Sequence, residues 1–225
     1  MKRLIIPAAA LFALLIGSSF LFTDMASEDV RNLEPFYGIG ISVHADVFYT
    51  QGNNHEVRIE GNDRDVKDLK TEVKDGFLQV KYENYKMKRS KVTIYITSKE
   101  LEKVKNSGSS QFRADKAVSS EEMEISMSGS GGITFTQLDS DEVKVKISGS
   151  GDVTFGKGKA DELNTRISGS GKLLAEHFEV SECLVAISGS GSCKITVNDE
   201  LDAKLSGSGK VYYHGDPQVN SVSSG

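Results

Sequence analysis

Apolar and polar residues alternate with a period of two on both sides of a repeated Ser-Gly-Ser-Gly motif. Counted from the first serine of a motif, positions −5, −3 and −1 are mostly apolar, as in Val143, Val145 and Ile147. Positions +5 and +7 are mostly apolar too, as in Val153 and Phe155. The residues between them are mostly polar, so the pattern predicts strands with one face buried and one exposed.

The motif recurs in register along the second half of the chain. Full copies begin at Ser128, Ser148, Ser168, Ser188 and Ser206, and a degenerate copy begins at Ser107. Each unit of about 20 residues reads as a strand, a Ser-Gly corner, a second strand and a polar return. A repeat of this length cannot bury its own apolar face, so neighbouring units are expected to stack.

Two arrangements fit such units: stacked coils of a β-helix or a series of antiparallel hairpins. If the four motif residues were a hairpin loop, position +5 would face the wrong side, because a one-residue shift reverses the side chains. A hairpin would therefore need an odd loop or a bulge at every copy. A corner between stacked coils needs no such irregularity. The alternation on both sides of the motif therefore predicts an all-β fold, a right-handed parallel β-helix (solenoid) with Ser-Gly-Ser-Gly corners.

The corner residues have a structural explanation in this fold. A sharp turn needs positive φ or a close backbone approach, both of which favour glycine. The hydroxyl groups of stacked serines could form hydrogen bonds between coils.

Residues 36–106 show less regular alternation and are expected to form irregular first coils, with one helical turn or a loop at 63–70. Residues 36–225 are therefore predicted to be one domain, with regular repeats over 107–225 and a linker over 20–35.

The N-terminus has the order of a secretory signal. Lys2 and Arg3 precede an apolar run over 4–16, and Gly17-Ser18-Ser19 follows it. We expect a signal peptide over 1–19 and an extracytoplasmic protein (in the periplasm, associated with the outer membrane, or secreted). The alternative is an uncleaved anchor over 4–22. Since no cysteine follows the apolar run, a lipoprotein is not expected.

Charge and cysteine content narrow the function classes. The chain has 27 basic and 32 acidic residues, with a net charge of −5 and no basic stripe, so nucleic acid and anionic membranes are not expected partners. Cys183 and Cys193 both face inward by the alternation. They are interpreted as small buried hydrophobes, with a disulfide across the coil interior as the alternative.

An ordered set of segments resembles a known bacterial family. The segments are Asp46-Val47-Phe48-Tyr49-Thr50-Gln51-Gly52, Val57-Arg58-Ile59-Glu60-Gly61, Gly76-Phe77-Leu78-Gln79-Val80, Val92-Thr93-Ile94-Tyr95-Ile96, and residues 101–108 with the array that follows. Together they resemble the putative auto-transporter adhesin, head GIN domain family, over about residues 31–225. The resemblance implies an extracytoplasmic β-helical domain and brings no catalytic residues. The chain departs from the pattern at Ser109-Ser110.

Residue chemistry predicts no catalytic, cofactor-binding or metal site. A phosphate loop is rejected because Gly169-Ser170-Gly171-Lys172 lacks the required flanking residues. Calcium is not expected because Asp152 is not repeated in the other copies. The histidines are scattered and explained by surface or turn positions; they are His44, His55, His177 and His214. The motif serines are near-equivalent copies, whereas a nucleophile would be distinctive.

Three functions follow from this pattern. The first is an exported, non-catalytic adhesin-like or surface/periplasmic binding scaffold with an unknown partner, such as a glycan or a cell-surface protein. The second is a polysaccharide-acting enzyme on a β-helix, for which Asp152, Lys157 and Lys159 are weak candidates. The third is an ice- or ordered-water-binding face made by stacked serine hydroxyls.

Overall fold

The chain folds almost entirely into β-structure. The computed structural model describes residues 26–83 and 88–224. With 76% strand and 3% helix, the predicted all-β class is confirmed. The elements in chain order are β1 (Ala26–Asn32), β2 (Gly38–Ile41), β3 (Ala45–Gln51), β4 (Glu56–Asn62), α1 (Asp63–Asp68), β5 (Leu69–Lys74), β6 (Phe77–Tyr82), β7 (Val92–Ser98), β8 (Lys103–Asn106), β9 (Gln111–Gly129), β10 (Gly132–Gly149), β11 (Asp152–Gly169), β12 (Lys172–Gly189), β13 (Ser192–Gly207), β14 (Lys210–His214) and β15 (Gln218–Ser224).

Strands β9 to β13 stack as parallel coils in register. The first serine of each full motif pairs with its equivalent in the next coil, as Ser148 does with Ser128 and Ser168. The stack is a parallel β-solenoid of about 6 turns, with coils roughly 20 residues long. The predicted solenoid is confirmed, and the hairpin alternative is wrong, because hairpin strands would pair antiparallel.

The coil interior is a continuous apolar core. Nearly all of the predicted inward positions are buried, including Val143, Val145 and Ile147. The return segments, predicted to be polar, add buried residues of their own, such as Phe178. Its ring lies 4.9 Å from that of Phe155. Each return therefore connects two coils and also adds apolar side chains to the core, beside those of the two strands that flank the corner.

The corners need glycine for two reasons at once. Gly169 has a φ of +121°, which side chains disfavour. A Cβ on it would also lie 2.6 Å from the carbonyl oxygen of Gly149 in the coil before. The backbone holds the corners together, because Ser170 N donates to Gly149 O at 2.9 Å. Among the described residues, the serines of the five full motifs make no side-chain hydrogen bond, so the expected hydroxyl bonds between coils are not part of the stack.

The degenerate corner at Ser109-Ser110 has a different polar core. Ser110 is buried where the full motifs have their second glycine, and its hydroxyl donates to Asn106 Oδ1 at 2.8 Å. The Asn106 amide nitrogen in turn donates to Ser110 O at 2.8 Å. Both groups are satisfied within the coil, which explains how this copy departs from the repeat without an unpaired buried hydroxyl.

The N-terminal end of the stack is closed by antiparallel strands and a helix. β1 pairs with β4 over Ala26–Asn32, so part of the predicted 20–35 linker is a strand, and that prediction needs correction. Arg31 fixes the strand because its Nη1 donates to Leu69 O at 2.7 Å. The predicted helical turn is confirmed as α1, capped by Asn62, whose Oδ1 accepts from Asp65 N at 2.9 Å. The signal-peptide prediction lies outside the described residues.

Both cysteines are buried free thiols on either side of one corner. Cys183 lies five residues before Ser188, and Cys193 lies five after it. Each occupies an apolar column, Cys183 between Leu163 and Leu201. This agrees with the interpretation of both cysteines as small buried hydrophobic residues.

In the described part of the chain, no helix has the length and apolarity to cross a bilayer.

Candidate groove at the C-terminal coils

The outer face of the last three coils forms an open groove. Alternate residues of β12, β13 and β14 point outward here, because the inward residues fill the core. The groove has a volume of about 1090 Å³. We call it the terminal groove; its side chains include those of Lys172, Leu174, Glu176, Ser192, Lys194, Lys210, Tyr212 and His214.

The parallel register arranges these side chains in rows across the coils. Lys172, Ser192 and Lys210 form one row. Leu174, Lys194 and Tyr212 form the next. Because adjacent parallel strands lie about 4.8 Å apart, each row brings three side chains within reach of one ligand.

The third row combines an acid, a hydroxyl and an imidazole. Thr196 pairs with His214, and its hydroxyl donates to Glu176 O at 2.8 Å. Thr196 therefore lies between Glu176, through this hydrogen bond, and His214, although the β12–β13 ladder slips after Ala175 and pairs Thr196 with Glu179. The row offers both hydrogen-bond donors and acceptors.

One ion pair lies in the middle of the groove. Lys194 Nζ lies 2.8 Å from Glu176 Oε1. The hydrogen bond to Glu176 raises the pKa of Lys194, and the same bond lowers the pKa of the Glu176 carboxyl. Both groups are substantially exposed, so the pair orients the two side chains but contributes little to stability.

Two lysines and one aromatic ring remain available to a ligand. Among the described residues, neither Lys172 nor Lys210 forms an ion pair with an acidic side chain. Tyr212 is 51% exposed although it is a large aromatic residue. The groove thus has a net positive charge beside an exposed ring, within a chain whose overall charge is −5.

A second surface feature is a row of stacked glutamates on another part of the coil. They are Glu122, Glu142, Glu162, Glu182 and Glu200. Lys144 Nζ bridges the first two, at 2.8 Å and 2.9 Å. The expectation about calcium considered only the position of Asp152 in the repeat, so the sequence analysis missed this row of glutamates. Within residues 26–83 and 88–224, no cluster of three or more acidic, cysteine or histidine side chains could hold a metal ion.

Comparison with known families finds one whose model matches most of the chain. The family described as putative auto-transporter adhesin, head GIN domain, matches residues 35–217. The chain belongs to this adhesin-head family. The resemblance inferred from the ordered segments is thereby confirmed. No functionally curated protein matches the sequence.

Several solved structures have the same fold. A putative adhesin from Parabacteroides merdae is 22% identical, with a TM-score of 0.73, covering 89% of this chain and 93% of that one. A putative adhesin from Bacteroides fragilis is 20% identical, with a TM-score of 0.77, covering 89% and 98%. A putative lipid binding protein from Parabacteroides distasonis is 22% identical, with a TM-score of 0.71, covering 88% and 93%. At these identities the likeness shows the fold alone.

The residues considered for enzymatic chemistry lie apart in this adhesin-head chain. Asp152 occupies the outward row next to Lys172. Lys157 and Lys159 lie on the following return and are exposed. Among the described residues, no ion pair or hydrogen bond joins Asp152 to either lysine. The structure therefore does not bring the three together.

The four histidines are placed separately. His44 and Ser109 share a hydrogen bond of 3.0 Å, and His55 Nδ1 accepts from Phe36 N at 3.3 Å. His177 is exposed on a return segment, and His214 lies in the terminal groove. Only His214 belongs to the candidate site, and sequence reasoning did not single it out. The signal that could have found it is the outward triplet Lys-Tyr-His at +4, +6 and +8 of the last copy, because no other full copy combines a cation, an aromatic ring and an imidazole at these positions.

Proposed function

We propose that this chain is an exported, non-catalytic adhesin-like protein whose terminal groove binds acidic carbohydrate. The observation that carries the proposal is the half-exposed ring of Tyr212 in the row next to that of Lys172 and Lys210, neither of which forms an ion pair among the described residues. Membership of the adhesin-head family supports a binding role at a cell surface.

The groove has the chemistry that sugars require. The C–H face of a sugar ring is apolar and packs on an aromatic ring, while Tyr also offers a polar hydroxyl at its edge. The third row supplies donors and acceptors for sugar hydroxyls. Lys172 and Lys210 would attract uronate or sulfate groups, because among the described residues neither forms an ion pair with an acidic side chain.

Export is supported by the N-terminal segment. Lys2 and Arg3 followed by the apolar run over 4–16 are typical of a secretory signal. The chain would act outside the cytoplasm, in the periplasm, at the outer membrane or secreted, and without a lipid anchor. A β-solenoid suits this setting because each coil supports the next along a rigid rod.

A glycan-binding panel tests the proposal. The purified chain is applied to neutral oligosaccharides, uronic-acid oligosaccharides, sulfated glycans and matrix proteins. We expect binding to the uronic-acid or sulfated chains, weakened about tenfold or more in a Lys172→Gln/Lys210→Gln variant. Since Lys157 and Lys159 are exposed and lie outside the groove, Lys157→Gln/Lys159→Gln is the matched control.

The control distinguishes a site from general charge attraction. Equal weakening in both double variants would reject the groove, because any exposed lysine would then serve. Binding to matrix proteins alone would reject the carbohydrate ligand. Hydrolysis of any glycan on the panel would reject the non-catalytic role.

A further inference from the structure

Two outward rows of the terminal groove continue across all the regular coils, from β14 back to β9. The members of one row are Arg113, Thr134, Thr154, Leu174, Lys194 and Tyr212. The members of the other are Gln111, Gly132, Asp152, Lys172, Ser192 and Lys210. We call the surface made by these two rows the axial track, because the rows run across the strands and therefore along the axis of the solenoid. The terminal groove occupies its last three strands.

The part of the axial track outside the groove is low and polar. Thr134 and Thr154 are half-buried, and Gly132 has no side chain. The side-chain amide of Gln111 lies over Gly132, in the place that a Cβ would take. The hydroxyl and amide groups can bond to sugar hydroxyls, and their small size leaves room for a chain that leaves the groove toward β9.

Arg113 places a positive charge at the far end of the track. Its side chain is exposed, and among the described residues it forms no ion pair. Beyond it the row continues to Phe48 and Tyr95, whose rings stack at 5.4 Å. Arg58 lies over the Tyr95 ring at 3.9 Å and is paired with Glu60. The charge of Arg58 is thus engaged within the fold, whereas that of Arg113 is available to a ligand.

The spacing of the coils matches the repeat of a polysaccharide. Adjacent strands lie about 4.8 Å apart, which is close to the length that one sugar unit adds to an extended chain. Arg113 lies three strands from Lys172, or about 14 Å, and Lys172 lies two strands from Lys210, or about 10 Å. A polysaccharide on the track would therefore meet one coil with each unit.

We propose that the terminal groove and Arg113 are the two ends of one site for an extended acidic polysaccharide that lies along the axial track. This inference rests on the proposed function, because it takes the acidic carbohydrate of the groove and specifies its length and direction. A chain of about three units fills the groove beside Tyr212. A chain of about six units spans β9 to β14, and its far end brings a carboxylate or sulfate to Arg113.

Asp152 gives the track a preference within this class of polymers. It lies on β11 between Gly132 and Lys172, and among the described residues it forms no ion pair. An acidic unit over β11 is repelled by this carboxylate, whereas a neutral unit is not. The site should therefore favour polymers in which neutral units separate the acidic ones.

Calorimetric titration of galacturonate trimer and hexamer into the purified chain tests the proposal. A longer chain can gain affinity by sliding through several registers of the groove, so variants are compared at both lengths. Arg113→Gln should weaken hexamer binding about fivefold and leave trimer binding unchanged. At 0.15 M salt, exposed charges act over about 8 Å, so a trimer in the groove does not sense Arg113. Asp152→Asn should strengthen hexamer binding more than trimer binding.

The matched control is Arg166→Gln. Arg166 is also exposed and without an ion pair among the described residues, but it lies on the strand face before the corner. This variant should bind both oligomers like the wild type, and circular dichroism checks that every variant is folded. Absence of binding by either oligomer would reject the proposed function itself. Binding that Arg113→Gln weakens at neither length, weakens equally at both, or weakens no more than Arg166→Gln would overturn the axial track and leave the groove standing. Hexamer binding that Asp152→Asn does not strengthen would contradict the path across β11.

Discussion

Gly149 lies directly against Gly129 of the preceding coil. A Cβ at Gly149 would stand 2.7 Å from the Gly129 carbonyl oxygen. That oxygen also accepts a hydrogen bond from Ser150 N at 3.1 Å. The φ of Gly149 is +130°, so both the backbone conformation and the spacing between coils depend on the missing side chain.

Replacing Gly149 with valine should destabilise the fold by about 1–3 kcal/mol, because the side chain meets backbone and φ is unfavourable. Ser150→Ala should change the free energy of unfolding by less than about 0.5 kcal/mol, since its hydroxyl is exposed and its backbone bond remains. Urea denaturation of both variants measures the difference. Equal stability of Gly149→Val and wild type would contradict the tight-corner geometry.

The two faces of the strand should respond differently to a carboxylate. Ile147 is 2% exposed, and an unpaired charge there costs several kcal/mol. The Lys146 side chain is 57% exposed, so Lys146→Asp should cost about 0.5 kcal/mol or less. We expect Ile147→Asp to melt far below Lys146→Asp in a thermal scan. Similar melting temperatures would show that the assigned facing is wrong.

The cysteine thiols should be unreactive in the folded protein. Burial raises the pKa of Cys183 to about 12, and burial and the nearby Cys183 raise the pKa of Cys193 well above its ordinary value. Since the thiolate is the reactive form, iodoacetamide at pH 8 should label neither residue until denaturant is added. Rapid labelling of the native protein would contradict the burial, and failure to label the denatured protein would indicate a disulfide.

Acid should weaken the N-terminal end through Asp65. Burial raises the pKa of this carboxyl, but hydrogen bonds from Ser90 N, Asn62, Arg89 and Arg64 outweigh it and hold the pKa below its ordinary value. The folded-state pKa is thus lower than the unfolded one, so the stabilisation is present above that value. It is lost as the pH falls through the folded-state pKa.

Asp65→Asn tests this dependence. At pH 7 the variant should be less stable by on the order of 2 kcal/mol, because buried donors lose a charged acceptor. Between pH 5 and pH 2 its stability should fall less than that of the wild type. Parallel pH profiles for the two proteins, measured by urea denaturation, would show that Asp65 does not carry the acid sensitivity.

The regular coils were predictable because two independent periods agree. The alternation of two fixes which side chains face inward, and the repeat of about 20 residues fixes which side chains stack. The buried, stacked positions of Val145 and Ile147 follow from these two periods alone. The last step of 18 residues does not disturb the corners, because the ladder slips in the return after Ala175 and resumes at Glu182.

The returns were not predictable in the same way, because their residues do not repeat. Gly158 has a φ of +122°, and a Cβ there would lie 1.8 Å from Leu138 O. In the next coil Phe178 takes the equivalent place and packs on Phe155, while Ala175 replaces the phenylalanine of earlier coils. Large and small residues exchange places between neighbouring coils, and only the folded packing shows which pairs compensate.

The terminal groove was missed for a related reason. Outward residues such as Lys172 and Tyr212 differ from copy to copy, so the repeat pattern does not distinguish them from other exposed residues. Tyr213 continues the inward column of Ile195, as its position in the repeat predicts, yet it is 46% exposed among the described residues. Similarly, β1 was taken for a linker because its pairing with β4 depends on contacts distant in sequence.

Titration of an oligogalacturonate into the wild type, Tyr212→Ala and Tyr37→Ala, followed by calorimetry, tests the groove most directly. Tyr37 is 41% exposed but lies outside the groove, so it is a matched control for losing an exposed ring. The account predicts that Tyr212→Ala weakens binding about tenfold or more, since stacking on an aromatic ring is lost, while Tyr37→Ala binds like the wild type. No binding to the wild type, or equal affinities for all three proteins, would contradict it.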